Sequence, residues 1–296
     1  MRPRTTATVF MVITALMGLL MGVSAHARTV YDDTGAAVTL TAPAQRIVAL
    51  SPAITENLFA IGAGSRIIGT STSSDYPAAA QAITVVSDYQ SMDLEKIARL
   101  KPDVIIAWQG GQSPAQLAAL EQLHIPIFYQ RVRTLTDIPS SLMRLAQLTG
   151  LEVQAAPNIV AAYQKITLLR DAPQPTLTAF YQVWHSPLMT LNHTNWVSDA
   201  LKRCGASNPY DALPLAAPTV GMEDVLQHQP SLLLSATPDG TADDSLALWT
   251  KWPDLPAIKL NGLIYTDADA MNRSTLRTLD AAVKMCTDIA NVRARL

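Results

Sequence analysis

Asp93 to Ala107 reads DLEKIARLKPDVIIA, and Gly221 to Ser235 reads GMEDVLQHQPSLLLS. The second stretch repeats the first in diverged form, 128 positions later. Each copy opens with an acidic residue, Glu95 or Glu223, near the start of a short amphipathic helix. Each helix is stopped by a proline, Pro102 or Pro230, because proline lacks the N–H that would continue it. Each proline is followed by an apolar run that reads as a buried strand. Two copies of one helix–Pro–strand unit predict two lobes of like architecture, with a ligand held between them.

Outward from the first copy, strands and helices alternate. Arg28 to Leu40 reads as a β-hairpin turning at Asp33-Thr34-Gly35, and Arg46 to Leu50 as a buried strand. Ser51-Pro52 opens a helix that runs to about Ile61. Short strands follow at Ile67 and Val85, a helix at Ser113 to Leu123, and a strand at Ile125 to Tyr129. This alternation is the mark of parallel sheets built from βαβ units.

The middle of the chain has no strand signal. Ile159, Ala162, Tyr163, Ile166 and Leu169 recur at helical spacing. A helix of about 16 residues spans ~24 Å and would serve as a stiff strut between lobes. Pro157 is then expected in its first turn, and Asp171 to Pro175 (DAPQP) is the exit linker. Beyond it come a strand at Thr178–Val183, a helix near Asn195–Arg203, the second repeat and a helix near Asp244–Lys251. A strand at Ile258–Leu260, an extended piece at Leu263–Thr266 and a last helix from Thr275 to about Val292 complete the reading. The expected fold is α/β: two Rossmann-like lobes with parallel sheets, joined by a single long interdomain helix, with the ligand cleft between them. The expected division is 1–27 signal peptide, 28–150 N-terminal lobe, 151–172 interdomain helix and 173–296 C-terminal lobe.

The signal reading rests on Arg2 and Arg4, the apolar run Val9–Val23 and the small-x-small triplet Ala25-His26-Ala27. Cleavage is expected after Ala27 and export to the periplasm. An apolar run of about 15 residues is short for a membrane span. The remaining chain carries 20 basic and 24 acidic residues, a net charge of −4. That balance offers no electrostatic reason to bind nucleic acid. Two cysteines, Cys204 and Cys286, in an exported chain point to a disulfide, with two buried thiols as the alternative.

These residues resemble a known family. The hairpin opening and RIVALSPAITENLFAIGAGSRIIG (Arg46–Gly69) are similar to class III periplasmic substrate-binding proteins of ABC importers, which carry vitamin B12, iron–siderophores and haem. SSDYP (Ser73–Pro77) and YQSMDLEKIARLKPDVIIAWQGG (Tyr89–Gly111) resemble the vitamin B12-binding branch in particular. The resemblance covers nearly all of the chain after residue 27 and is strongest in the first lobe.

The resemblance implies residue roles. Glu95 and Glu223 match the pair, one per lobe, that docks on arginines of the permease dimer, which works with its ATPase subunits. Asp269 and Arg273, placed by the sequence in a loop before the last helix, match cleft residues suited to amides: the carboxylate accepts N–H and the guanidinium donates to C=O. Tyr89 and Trp108 match aromatic cleft positions. Trp184 and His185 follow a strand whose end is expected to open on the cleft. Ser73 stands where the B12 branch has a tyrosine, and Ala217 where it has a tryptophan; Trp184 and Trp196 are the candidates to replace those walls. Cys204 and Cys286 fall where the branch has paired cysteines.

The expected ligand is cobalamin or a related corrinoid, carried as cargo by a monomer with no cofactor of its own. Two alternatives stay open. Haem would use Tyr89 as its iron ligand. A ferric siderophore would call on Arg273, Arg131 and Arg133. An enzyme is not expected, because no GxSxG or HExxH motif is present and the acidic pairs Asp32-Asp33 and Asp267/Asp269 have turn spacing. His124, His185, His193 and His228 are too scattered for a metal site.

Overall fold

The computed structural model describes residues 28–169 and 176–296. The expected signal segment with its cut after Ala27, and the linker Asp171–Pro175, lie outside the described residues. Strands β1 (Arg28–Tyr31) and β2 (Ala37–Leu40) form the antiparallel hairpin, with Arg28 opposite Leu40. Its turn is closed by the Asp32 carboxylate, which accepts from Thr34 N at 2.8 Å and Ala36 N at 2.9 Å. Asp32 and Asp33 also accept from the backbone N–H groups of Tyr129 and Arg131. The acidic pair therefore anchors the hairpin to the first lobe, a structural duty. Burial pushes the Asp33 carboxyl up from its ordinary value, although the hydroxyl of Ser141, the Arg131 N–H and the Arg144 guanidinium pull it down.

The first lobe then runs β3 (Ile47–Ala49), α1 (Pro52–Ala60), β4 (Ile67–Ser71), β5 (Val85–Ser87), α2 (Leu94–Leu100), β6 (Val104–Trp108), α3 (Pro114–Glu121) and β7 (Ile127–Gln130). Its five strands are parallel, in the order β5-β4-β3-β6-β7. The chain winds outward from β3 through β4 to β5, then returns to start again at β6. The sheet thus reverses its winding between β3 and β6, the kind of crevice where open α/β sheets take ligands. Helices α4 (Asp137–Thr149) and α5 (Glu152–Leu168) follow.

The second lobe contains β8 (Leu177–Gln182), the hairpin β9 (Trp184–His185) and β10 (Leu188–Met189), α6 (Trp196–Arg203), β11 (Ala206–Ser207), α7 (Met222–Gln227), β12 (Leu232–Thr237), α8 (Pro256–Lys259), β13 (Leu263–Asp267), α9 (Ala268–Asn272) and α10 (Leu276–Arg293). Its parallel sheet has the order β11-β8-β12-β13 and reverses between β8 and β12.

The repeat is structural. Strands β6 and β12 hold the same place beside the central strand of their sheets. Lys101 and Gln229, the residues before the two prolines, both close their helices in the left-handed region, at φ 48 and φ 45. In β6, Val104 and Ile106 join one apolar core while Ile105 and Ala107 join another. In β12, Leu232 and Leu234 face one core and Leu233 the other. Burial on both faces is why these strands read as unbroken apolar runs.

Helix α5 buries Ala155, Ile159, Ala162 and Ile166 along one stripe. It packs on α4 and on α10, and a single apolar core runs from the first lobe through α5 into the second. The disulfide Cys204–Cys286 ties the end of α6 to α10.

Four expectations need correction. Pro157 lies inside α5, at its sixth residue, since the helix starts at Glu152. The carbonyl its missing N–H would have bonded is that of Val153, which is 90% exposed and open to water. Ile258–Leu260 is no strand: Pro256 opens the short helix α8, and Asn261 turns the chain at φ 49. The strand starts at Leu263, and just before it Gly262 passes Ser231 so closely that a Cβ would stand 2.2 Å from its carbonyl oxygen. Asp244–Lys251 is a 3-10 helix. Asp269 is not in a loop but in α9, with Arg273 as its C-terminal cap.

Candidate ligand-binding site

Parallel strands deliver their following residues to one edge, and the two sheets supply the walls of a cavity of about 160 Å³ from those edges. The first lobe contributes Ser51, Pro52 and Ala53 after β3, Trp108 at the end of β6, and Gln130 at the end of β7. The second contributes Asn272, Arg273 and Ser274 at the C-terminal end of α9, and Trp196 at the start of α6. The β3/β6 reversal of the first sheet therefore opens directly on it. Trp196 is 7% exposed and fixed by its indole N–H, which donates to Met271 O at 2.8 Å. Trp108 is 44% exposed, with its ring packed beside Gly111.

Arg273 is the pivot of the site. Nη1 donates to Asp75 Oδ1 at 2.6 Å, and Nη2 lies 3.0 Å from Asp269 Oδ1. Asp75 comes from the loop after β4, so this pair crosses between lobes. That loop is held to α1 by hydroxyl contacts among Thr55, Thr70, Ser71 and Ser74. The Arg273 hydrogen bond holds the Asp75 carboxyl below its ordinary value, against a smaller opposing effect of burial.

Further interlobe contacts lie alongside. Arg277 of α10 donates twice to Glu56 of α1, and its guanidinium sits 4.1 Å from the Tyr76 ring centroid. Asn57 Nδ2 donates to Ser274 O at 3.1 Å, and Leu135 N donates to Asp199 Oδ2 at 2.9 Å. The cavity wall at 272–274 is thus braced against the opposite lobe.

Of the expected cleft residues, the structure brings Trp108 and Arg273 together in this cavity, with Trp196 beside them. Asp269 reaches it only through Arg273. Tyr89, 85% exposed after β5, accepts from Gln90 Nε2 at 2.7 Å. Ser73, after β4, is exposed with φ 61. Trp184 and His185 form an exposed pair in β9, ring centroids 5.4 Å apart. These four come after the C-terminal ends of β4, β5 and β8, but none lines the cavity. Arg131 and Arg133 are likewise outside it. Sequence reasoning missed Ser51–Ala53, Gln130, Asn272 and Ser274. The Ser-Pro after a buried strand was the available signal for the first group.

Glu95 and Glu223 occupy the second position of α2 and α7, both exposed. Glu95 lies 3.2 Å from Arg99. Among the described residues no group of three or more His, Cys, Asp or Glu is placed to hold a metal ion, and no helix is long and apolar enough to cross a membrane.

A cavity walled from the facing edges of two parallel sheets defines a two-lobed binding protein. Residues 47–270 match the family model described as periplasmic binding protein, and the chain belongs to that family. It is 32% identical, over 256 residues, to the vitamin B12-binding protein of Vibrio parahaemolyticus, covering 86% of this chain and 92% of that one. The crystal structure of the periplasmic vitamin B12 binding protein BtuF of Vibrio cholerae superposes with a TM-score of 0.77 at 32% identity, covering 85% of this chain and 98% of that one. A periplasmic haem-binding protein of Vibrio cholerae, HutB, shares the fold at a TM-score of 0.70 and 20% identity, over 82% of this chain and 98% of that one.

Proposed function

We propose that the chain is the periplasmic substrate-binding component of an ABC importer and that its cargo is cobalamin or a related corrinoid. It carries the ligand and does not transform it. The observation that supports this reading is the interlobe cavity, where Trp108 and Trp196 stand beside Arg273 and its two carboxylates. Flat aromatic walls suit a planar macrocycle. A guanidinium flanked by carboxylates suits a fringe of amides, offering donors to C=O and acceptors to N–H. The relatives above, named for vitamin B12 and similar over most of their length, point the same way.

In this reading residues 1–27 are a signal peptide cut after Ala27. The lobes are 28–150 and 173–296, with 151–172 as the connecting spine. Ser73, Tyr89, Trp184 and His185 form the outer reaches of the ligand surface. Because an apolar core and several polar contacts span the lobes, closure is a small hinge, and affinity comes from preorganised walls. The loaded monomer presents Glu95 and Glu223 to a permease dimer with its ATPase subunits.

Isothermal titration with cobalamin, cobinamide, haemin and a ferric siderophore tests the reading. Tight binding of either corrinoid, with no turnover, is the expected result. Haemin binding that disappears in Tyr89→Phe, with no corrinoid binding, would replace the cargo by haem.

A further inference from the structure

Among the described residues Arg273 is the one charged side chain in the cavity lining, yet it brings no net positive charge there. Each terminal nitrogen of its guanidinium is already matched to a different carboxylate, Asp75 from the first lobe and Asp269 from its own. One cation between two anions leaves the cluster at a net charge of −1. The neighbouring pair, Glu56 with Arg277, adds nothing to that sum, because it balances itself. Arg273 still has donor hydrogens to offer, since a guanidinium carries five and only two directions are taken. Each carboxylate keeps one oxygen that Arg273 does not engage.

An amide can use both kinds of group at once, donating N–H to a carboxylate and accepting from the guanidinium. A carboxylate can only accept, and it brings a second negative charge toward Asp75 and Asp269. Both carboxylates are about half exposed, so solvent and salt screen this repulsion in part and it is strongest at low ionic strength.

We propose that Asp75 is a specificity-determining residue: by cancelling the charge of Arg273 from across the cleft, it makes the site favour uncharged, amide-fringed ligands over carboxylate-bearing ones of the same shape. Asp75 makes this selection from a loop that does not line the cavity. The inference rests on the corrinoid reading above and deepens it. It also accounts for why a cleft arginine need not attract anionic cargo.

The test compares cyanocobalamin with its separated monocarboxylic acid derivatives, in which one peripheral amide has been hydrolysed, by titration calorimetry at neutral pH and low salt. Wild type is expected to prefer the parent over at least one derivative by tenfold or more, about 1.4 kcal/mol. Asp75→Asn keeps an oxygen for Arg273 and removes the charge, so the preference should fall at least tenfold. Glu56→Gln breaks the other interlobe ion pair, outside the lining, and should leave the preference unchanged. Equal preference in wild type and Asp75→Asn overturns the inference while leaving corrinoid binding intact. So does an equal shift in Glu56→Gln, which would trace the effect to lobe contact and not to charge. If wild type binds neither parent nor derivative, the corrinoid reading itself falls and the inference with it.

Discussion

The Glu56 carboxylate and the Arg277 guanidinium meet between the lobes in a two-pronged contact, Nε to Oε1 at 2.8 Å and Nη2 to Oε2 at 2.6 Å. The Glu56 side chain is 5% exposed and that of Arg277 26%. A parallel pair of charge-assisted hydrogen bonds fixes direction as well as distance. The contact joins the first helix of one lobe to the last helix of the other, so it sets their mutual angle independently of α5.

Removing either partner strands the other. Arg277→Leu leaves the buried Glu56 without its counter-ion and is expected to cost about 2–5 kcal/mol. Glu56→Gln leaves the better-solvated Arg277 unpaired and should cost less. Urea unfolding of the two variants checks the order. A larger loss in Glu56→Gln would mean that the pair is not held as the geometry indicates.

The bridge between Cys204 and Cys286 closes a loop of 82 residues and is nearly buried at Cys204. Cross-linking a loop of that length restricts the unfolded chain by about 4 kcal/mol in the chain-entropy model. Replacing both cysteines by serine, or reducing the wild type, should lower stability by up to that amount. The fold should persist, because β8, β12 and β13 pair without the bridge. Denaturant titrations with and without reductant measure the difference.

Acid should loosen the Asp75–Arg273 contact. The Arg273 hydrogen bond lowers the Asp75 carboxyl below its ordinary 3.8, so the unfolded chain binds the proton more readily than the folded one. This contribution is fully present above the unfolded value and is lost as pH falls through the folded one, below about pH 4. Asp75 is largely solvated, which limits the effect to under about 1 kcal/mol. Stability profiles from pH 6 to pH 2 should be shallower at the acid end for Asp75→Asn than for wild type.

Much of the architecture was legible because it is encoded locally. The duplicated helix–Pro–strand phrase foretold two like sheets, and even the left-handed turn before each proline recurs at Lys101 and Gln229. The cavity was less legible. Asn272 and Ser274 have no motif of their own; the end of β13 and the short helix α9 put them there. ADAMN is too short to show a helical period, so α9 passed for a loop, although Asp267 caps it by accepting from Ala270 N. The interlobe pairs were invisible for a simpler reason. Glu56 and Arg277 are 221 residues apart, Asp75 and Arg273 are 198 apart, and no periodicity reaches that far.

The two glutamates of the repeat give the last prediction. Glu95 and Glu223 sit at the same position of equivalent helices, exposed, one on each lobe. An acid in the first turn is favoured by the helix dipole, which alone would explain one such residue. The dipole does not explain why both repeats keep it at an exposed site away from the cavity lining. Two carboxylates at matched places give a partner two charge-assisted contacts, one registering each lobe. Reversal of both, Glu95→Arg with Glu223→Arg, should abolish cobalamin uptake by cells or by reconstituted permease. Ligand affinity should stay within about twofold, while stability should fall by about 1–2 kcal/mol, because each arginine opposes its helix dipole and Glu95→Arg also faces Arg99. Single reversals should give intermediate uptake, and high salt should weaken wild-type docking, because exposed charge pairs are screened. Uptake that survives the double reversal would reduce both residues to helix-terminal acids. Loss of ligand binding would mean that they act on the cleft and not on a partner.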